Sequence, residues 1–147
     1  RQVAAASDMA IGRLRNLEGE CRRLGLKAPC IVLADASRLP CRRIPGDALL
    51  DVPCSGLGVL ARRPDIRRRK LDIAGYAATQ ARILEQALAK TRPGSLVCYL
   101  TCTVDGQENA ALVRREAFAS RASIVREWQT PLDSPLEGMY GAVLKVR

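Results

Sequence analysis

Two short stretches of the sequence, DVPCSGLG and YLTCTVDGQEN, place a cysteine directly after an apolar segment. Cys54 follows Asp51 across a proline, and Cys102 follows the run LVCYLT, in which Cys98 is expected to pack as a small hydrophobe. A thiol at such a junction is either part of the core or a nucleophile with a lowered pKa. Because the chain contains no histidine, a cysteine–histidine nucleophile of the protease type is excluded.

The chemistry that remains open to these side chains is attack of a thiolate on a carbon atom of the substrate. A pyrimidine base suits this chemistry, because the Cys102 thiolate can add to carbon 6 while the Asp51 carboxyl hydrogen-bonds ring nitrogen 3. Carbon 5 then becomes nucleophilic enough to take a methyl group from a sulfonium donor. A second thiol, Cys54, can help to resolve the covalent adduct. Gly56 and Gly58 are expected to let the backbone approach a flat ligand closely.

Acidic side chains follow two earlier apolar segments of the chain. Asp8 ends QVAAASD, and Asp35 ends PCIVLAD. A single aspartate at such a point is more often a cap or turn residue than a ligand. Four segment ends with polar or reactive groups nevertheless favour a site, because the carboxyl ends of parallel strands lie along one edge of the sheet, where α/β proteins bind ligands.

Apolar strand patterns alternate with helical patterns through most of the chain. The predicted strands cover residues 2–7, 29–35, 47–54, 93–102, 122–128 and 139–147. The predicted helices cover residues 10–24, 72–91 and 106–119. The last helix is expected to start with Asp105 and Glu108 as an N-cap and its partner. No helix separates the final two strands, so the fold class is α/β with a mainly parallel sheet and an antiparallel last strand.

The composition allows one compact domain and favours a polyanionic partner. Of the 147 residues, 48% are hydrophobic, and 24 lysines and arginines against 15 acids give a net charge of +9. Such a balance favours RNA or DNA, although it can also serve solubility alone. Five arginines in the connection 55–70 are expected to contact RNA phosphates, and the alternative is a solvated basic loop. These are Arg62, Arg63, Arg67, Arg68 and Arg69.

The sequence argues against a metal site, a membrane span and a secretory signal. The six cysteines include no CxxC pair, and without histidine a zinc or other metal site is not expected. No apolar run approaches the length of a membrane span. No signal peptide is visible, and the α/β pattern favours a cytoplasmic protein with reduced thiols.

Taken together, the two cysteine motifs resemble a known family. DVPCSGLGVLARRPDI and YLTCTVDGQEN resemble the fourth and sixth motifs of the Sun-type ribosomal RNA (cytosine-5) methyltransferases, which use S-adenosylmethionine. SDMAIGRLRNLEGECRRLGLKA resembles the family's acidic strand end with its following helix, and LADASRLP resembles its third motif. The chain has T-C-T where the family has T-C-S, which keeps the hydroxyl. The similarity runs through essentially the whole chain.

The resemblance implies a role for each matching residue. Cys102 is expected to be the nucleophile that adds to cytosine carbon 6, and Cys54 to assist release of the methylated product. Asp51 is expected to hold the edge of the base between cofactor and target. Asp8, in the adenosyl-ribose position, and Asp35, near the adenine, are expected to bind S-adenosylmethionine together with Asp51. The implied partner is RNA, and ribosomal RNA in particular.

The resemblance also implies that part of the family's fold is missing. The first motif, a glycine-rich loop with a lysine before the strand that ends at Asp8, is not found in the sequence, nor is the family's N-terminal RNA-binding region. Residues 1–147 are therefore expected to be part of an S-adenosylmethionine-dependent catalytic domain. Its Rossmann-like methyltransferase sheet would lack the first, central strand. The alternative is a truncated, catalytically inactive remnant that binds RNA weakly.

The missing strand has a predicted structural consequence. In the resembled fold it lies between the strands that end at Asp8 and Asp51. Buried backbone groups without partners cost about 1–3 kcal/mol each, against a total stability of about 5–15 kcal/mol. We therefore expect one of three outcomes: marginal folding, direct pairing of those two strands, or pairing with another segment.

Overall fold

A computed structural model of the chain describes residues 3–120, 122–131 and 136–147. The elements in this part follow the predicted order, and most are a few residues shorter than predicted. They are β1 (Ala5–Asp8), α1 (Ile11–Arg23), β2 (Cys30–Leu33), β3 (Ala48–Asp51), α2 (Ile73–Lys90), β4 (Leu96–Thr101), α3 (Ala110–Ala119), β5 (Ser123–Gln129) and β6 (Tyr140–Lys145). The start of the first predicted strand, residue 2, lies outside the described residues.

The chain divides into two compact units, an N-terminal unit (Arg1–Pro40) and a C-terminal unit (Cys41–Arg147). In the N-terminal unit β1 and β2 pair in parallel. Helix α1 buries Leu14 and Cys21 on one face. Gly25 follows its C-terminus with a φ of 66°, the left-handed conformation that commonly ends helices at glycine.

The C-terminal unit is built on a four-stranded sheet in the order β3-β4-β6-β5. β3 and β4 are parallel, whereas β6 is antiparallel to both of its neighbours. The predicted fold class, mainly parallel with an antiparallel last strand, is therefore confirmed. Helices α2 and α3 supply Leu84 and Leu112 to a core that also contains Val97, Tyr99 and Leu144, all fully buried.

The two strands predicted to flank a gap each have one partner in the described part of the chain. β1 pairs with β2, and β3 pairs with β4 at the edge of the larger sheet. Direct pairing of β1 with β3, one of the three expected outcomes, is not found there. Leu49 of β3 is 68% exposed, although the strand is apolar like a buried one.

The start of α3 differs from the prediction. The helix begins at Ala110 rather than near residue 106. Asp105 accepts a hydrogen bond from the backbone N–H of Gln107 at 2.8 Å, but Glu108 is turned into the core with none of its surface exposed. The expected capping box does not form, because the Glu108 carboxyl is engaged by Ser55 and Gln80 instead. In the residues that the structure describes, no helix is both long and apolar enough to cross a membrane.

Candidate active site

Strand register brings Asp51 and Cys102 to the same edge of the larger sheet. Asp51 is level with Leu100 in the parallel pair β3–β4, and Cys102 comes two residues later, just after β4 ends. Both line an open cleft of about 660 Å³. The other residues that line it are Val59, Arg62, Arg63, Glu137 and Met139. The predicted gathering of Asp51 and Cys102 at a strand-end edge therefore holds within the C-terminal unit.

The two candidate catalytic thiols are in contact. The sulfur atoms of Cys54 and Cys102 lie 3.3 Å apart, and both cysteines are partly buried and free. The hydrogen bond with Cys54 lowers the pKa of Cys102 to about 7, against the opposing effects of burial and of the nearby Asp51 and Glu137 charges. The same hydrogen bond, and then burial, raises the pKa of Cys54. Cys102 is therefore the member of the pair that ionises near neutral pH, while Cys54 keeps its proton.

A glycine-bearing turn carries the loop away from Cys54. Gly56 has a φ of 74°, in the left-handed region that side chains with a Cβ rarely adopt. The Gly58 N–H donates to the carbonyl of Cys102 at 3.0 Å, and the Gly58 carbonyl accepts from the N–H of Gly138 at 2.8 Å. A Cβ on Gly58 would lie 1.8 Å from the Gly138 carbonyl oxygen. The close approach at Gly58 is thus made by the protein's own backbone, where a flat ligand was expected.

Buried polar side chains flank both cysteines. Glu108 accepts hydrogen bonds from the Ser55 N–H at 2.9 Å and the Ser55 hydroxyl at 2.5 Å. Gln80 Nε2 donates both to Glu108 and to the carbonyl of Pro53, each at 2.8 Å. The hydroxyls of Ser55 and Thr103 lie 2.8 Å apart. These hydrogen bonds join Pro53 and Ser55, which flank Cys54, to Thr103, which follows Cys102.

The other side of Cys102 is held in a similar way. The Thr101 hydroxyl donates to Asn109 Oδ1 at 2.7 Å, and Asn109 Nδ2 donates to the carbonyl of Thr103 at 3.0 Å. Sequence reasoning missed the role of Asn109, and it assigned Glu108 to a helix cap. Residue type alone gives little signal for them, because a polar pair that follows a strand also fits an exposed turn.

Two of the three acids predicted to bind the cofactor, Asp8 and Asp35, lie in the N-terminal unit. Asp8 is level with Leu33 in the pair β1–β2, so Asp8 and Asp35 follow neighbouring strands at one edge of that sheet. Asp8 accepts from the Ala10 N–H at 2.7 Å and from Arg13 at 3.3 Å, which lowers its pKa. The side chain of Asp35 accepts from the Ser37 N–H at 2.8 Å.

Both acids thus hold the turn that follows their strand. An ionised carboxylate has about four acceptor positions, more than the two contacts of Asp8 use, so Asp8 can also accept from the hydroxyls of a ribose. A cavity of about 400 Å³ lies at the opposite end of this sheet, lined by Val3, Ala4, Lys27, Ala28 and Cys30. Its lining contains none of the predicted site residues.

The five predicted RNA-binding arginines are all exposed, but their surroundings differ. Arg62 is ion-paired with Glu137 across the cleft, and Arg63 and Arg69 are both ion-paired with Asp65. Ile66 lies between Arg63 and Arg69 in the sequence, and its buried side chain anchors the connection 55–70 to the core. Within the described ranges, no ion pair is found for the remaining two arginines, Arg67 and Arg68.

Two further observations concern the other cysteines and metals. Burial raises the pKa of Cys98 within β4, in keeping with its expected packing role. Among residues 3–120, 122–131 and 136–147, no group of three or more histidine, cysteine, aspartate or glutamate side chains could hold a metal ion.

Comparisons with known proteins cover nearly the whole chain. The family model for the 16S rRNA methyltransferase RsmB/F matches residues 1–144. The ribosomal RNA small subunit methyltransferase B of Salmonella arizonae is 37% identical over 145 residues, which cover 93% of this chain and 33% of that protein. Its counterpart in Xylella fastidiosa is 38% identical over 123 residues, covering 80% and 28%. The chain spans about a third of the length of these curated relatives.

Solved structures give the same answer for the fold. NSun6 from Pyrococcus horikoshii matches with a TM-score of 0.80 and 28% identity, over 98% of this chain and 41% of that one. That structure was solved with SFG, an analogue of S-adenosylmethionine. The match to the family model over residues 1–144 shows that the chain belongs to the 16S rRNA methyltransferase RsmB/F family, which confirms the resemblance found in its motifs.

Proposed function

We propose that this chain carries the thiol chemistry by which a methyl group is transferred from S-adenosylmethionine to carbon 5 of a cytosine in ribosomal RNA. The observation that carries the proposal is the pair of sulfur atoms of Cys54 and Cys102, 3.3 Å apart, beside a cleft that Asp51 also lines. Relatives named as ribosomal RNA small subunit methyltransferases support the substrate class. Residues 1–147 then form part of a methyltransferase catalytic domain.

Cys102 begins the reaction as a nucleophile. Because the hydrogen bond with Cys54 lowers the pKa of Cys102 to about 7, about half of the protein carries the thiolate at neutral pH. The thiolate forms a bond to carbon 6 of the cytosine, and the electron pair of the carbon 5–carbon 6 double bond moves towards carbon 5. Asp51, on the same cleft, hydrogen-bonds the edge of the base and fixes its orientation.

Cys54 assists the release of the product. S-adenosylmethionine, if bound, would supply the methyl group to carbon 5, and its methyl carbon–sulfur bond would break to leave the neutral thioether S-adenosylhomocysteine. The carbon 5 proton is then lost to water in the open cleft, and the bond between carbon 6 and the Cys102 sulfur breaks. The Cys54 thiol lies 3.3 Å from that sulfur and can donate a hydrogen bond to the departing thiolate, which makes Cys102 a better leaving group.

The cofactor-binding role is assigned to three acids. Asp8 and Asp35 lie at the carboxyl edge of β1–β2, where their carboxylates can accept hydrogen bonds from the hydroxyls of a ribose and the amino group of an adenine. Asp51 lies in the other unit, on the cleft with the thiols. An S-adenosylmethionine titration by calorimetry should show weaker binding for Asp8→Ala and for Asp35→Ala than for the parent, and Asp47→Ala, away from these edges, is the control.

The decisive experiment follows methyl transfer and adduct formation. This chain, or a longer protein that contains it, is incubated with labelled S-adenosylmethionine and ribosomal RNA. Cys102→Ala should abolish transfer, because no thiolate can add to carbon 6. Cys54→Ala should accumulate a covalent protein–RNA adduct on denaturing gels, because release is slowed. Cys98→Ala should behave as the parent. Full transfer by Cys102→Ala would refute the nucleophile assignment.

Binding of RNA phosphates is assigned chiefly to Arg67 and Arg68. They are exposed, and in the described part of the chain neither has an ion-pair partner, whereas Arg62, Arg63 and Arg69 face acids. Each phosphate contact contributes about 0.7–0.9 to the slope of log affinity against log salt. Arg67→Ala with Arg68→Ala should therefore lower that slope by more than one, while Arg82→Ala on α2 should not change it.

A further inference from the structure

A buried carboxyl group joins the two loops that carry the thiols. Glu108 comes six residues after Cys102, and its side chain is fully buried. It accepts from the N–H and the hydroxyl of Ser55, the residue after Cys54. Through Gln80 it is also connected to the carbonyl of Pro53, the residue before Cys54. Glu108 therefore reaches the Cys54 loop from both sides of the cysteine.

The acceptor set of Glu108 suits this connection. Its partners within the described residues are neutral donors, with no lysine or arginine among the ion pairs found there. A buried carboxyl group without a charged partner is costly unless its hydrogen bonds are well formed. The bonds from Ser55 and Gln80, at 2.5–2.9 Å, meet this condition. The Tyr99 hydroxyl also donates to the Glu108 carbonyl at 2.7 Å, which fixes the backbone of Glu108 against β4.

We propose that Glu108 is a positioning residue, which acts through Ser55 and Gln80 to hold Cys54 within hydrogen-bonding distance of Cys102. Neither Glu108 nor Ser55 lines the cleft, so their action on the reaction is exerted through the thiols. The consequence for methyl transfer rests on the proposed function, but the positioning itself can be measured without RNA or cofactor.

The measurable quantity is the ionisation of Cys102. The hydrogen bond with Cys54 is the main cause of the lowered pKa of Cys102, which burial and the charges of Asp51 and Glu137 oppose. If the Cys54 loop moves away, those opposing effects remain and the pKa of Cys102 must rise. A merely structural contribution of Glu108 would lower stability and leave this pKa unchanged.

The test is the pH dependence of Cys102 alkylation by iodoacetamide in the whole chain, followed by peptide mass spectrometry. In the parent the rate should reach half of its maximum near pH 7, since only the thiolate reacts. Cys54→Ala, which removes the hydrogen bond entirely, gives the largest rise in this midpoint that loss of the bond can cause. Glu108→Ala should raise the midpoint by about one pH unit, which lowers the thiolate fraction at pH 7 about fivefold.

Two variants and a control separate positioning from folding. Glu108→Gln should reverse at least half of the rise in the midpoint that Glu108→Ala causes. Its amide oxygen can accept from the Ser55 N–H and from Gln80, while its N–H₂ donates to the Ser55 hydroxyl. Ser55→Ala, a smaller change, should raise the midpoint by a few tenths of a unit. Glu85→Ala, an exposed acid on α2, should leave it unchanged. Circular dichroism at each pH reports whether each variant is folded.

The outcomes decide the proposal in each case. An unchanged midpoint in folded Glu108→Ala would overturn it. If Glu108→Ala does not fold, the result for Ser55→Ala decides, and an unchanged midpoint there would overturn it equally. A parent with a midpoint near pH 7 but no methyl transfer would count against the proposed function alone. Active parent protein with no shift in these variants would count against the positioning role alone.

Discussion

The two strand pairs that carry the candidate site residues share one backbone pattern and differ in their surroundings. In β1–β2, Asp8 is level with the residue two positions before Asp35. In β3–β4, Asp51 is level with the residue two positions before Cys102. Each pair therefore brings two candidate site residues to one edge of its sheet. In the second pair, buried hydrogen bonds also fix the loops that follow the strands. The described bonds to the Asp8 and Asp35 carboxylates from the turns after β1 and β2 are exposed or part-buried.

The N-terminal unit also has the smaller hydrophobic core. Of the eighteen buried hydrophobic residues found in the described part of the chain, the N-terminal unit holds two, Leu14 and Cys21. β4 has a strand on each side and buries alternate residues completely, whereas β1–β2 is a sheet of two strands. A sheet of two strands is marginal without further packing. We therefore expect the thiol geometry to be held more rigidly than Asp8 and Asp35, which lie in the unit with little core.

The largest effect that could break this comparison is in amide hydrogen exchange. The backbone amides of β4 should exchange only through global unfolding, because the strand lies inside the sheet. Those of β1 and β2 should exchange through local opening, about a thousandfold faster or more. Exchange followed by mass spectrometry on peptic peptides, with the edge strand β3 as an internal intermediate, measures the ratio. Equal protection of β1 and β4 would show that the N-terminal unit is as stable as the rest.

A core substitution tests the same contrast at single residues. Leu84→Ala removes a fully buried side chain of α2 and should lower the free energy of unfolding by about 2–5 kcal/mol. Leu33→Ala, at the end of β2 where the side chain is 59% exposed, should change it by about 0.5 kcal/mol or less. Urea unfolding followed by circular dichroism measures both. A large loss in Leu33→Ala would mean that this leucine packs in solution.

The fold could be predicted from sequence largely because the elements are long or strongly patterned. The parallel character followed from continuous apolar runs such as residues 96–101 and from the helices between them. The boundaries were less accurate, since β1 and β2 have four residues each and their ends depend on pairing. The start of α3 could not be found, because a D-x-x-E spacing fits both a helix N-cap and an acid that accepts hydrogen bonds from a serine far away in the sequence.

For the candidate site, the candidate reacting groups could be proposed from the sequence, but the groups that hold them could not. Cys54, Cys102 and Asp51 were found from residue type and strand ends, and the cleft brings Asp51 and Cys102 together. The contact between Glu108 and Ser55 joins residues far apart in sequence, so no local pattern contains it. The ion pair of Arg62 with Glu137 is similarly non-local, which is why five arginines that look equivalent in sequence differ in the structure.

Oxidation by diamide sharpens the comparison at the level of the thiols. Because the Cys54 and Cys102 sulfur atoms are already 3.3 Å apart, mild treatment should close a disulfide between these two with little movement. Peptide mapping without reduction should find this linkage first, and Cys98→Ser should leave its rate unchanged. Cys54→Ser should leave Cys102 free to alkylation after treatment. A first linkage that involves Cys21 or Cys30 instead would show that the thiol pair is not the pre-arranged one.

The smallest expected effect concerns Asp8 and the turn before α1. Asp8→Asn keeps an oxygen that can accept from the Ala10 N–H but removes the ion pair with Arg13. A solvent-accessible pair of this kind contributes about 1 kcal/mol or less, and Arg13→Gln should lower the free energy of unfolding by a similar amount. In the double variant the two losses should not add, since both remove the same interaction.

The stability difference between the parent and Asp8→Asn should depend on pH in a direction that follows from the pKa of Asp8. The hydrogen bond from Ala10, followed by the contact with Arg13, holds the pKa of Asp8 in the folded chain below its ordinary value of 3.8. The ionised carboxylate therefore stabilises the fold above the unfolded-state pKa, and this contribution is lost as the pH falls through the lower folded-state pKa. The difference between parent and Asp8→Asn in urea unfolding should accordingly be constant near neutrality and shrink below pH 3.8. A difference that grew on acidification would mean that Asp8 is held by burial rather than by these donors.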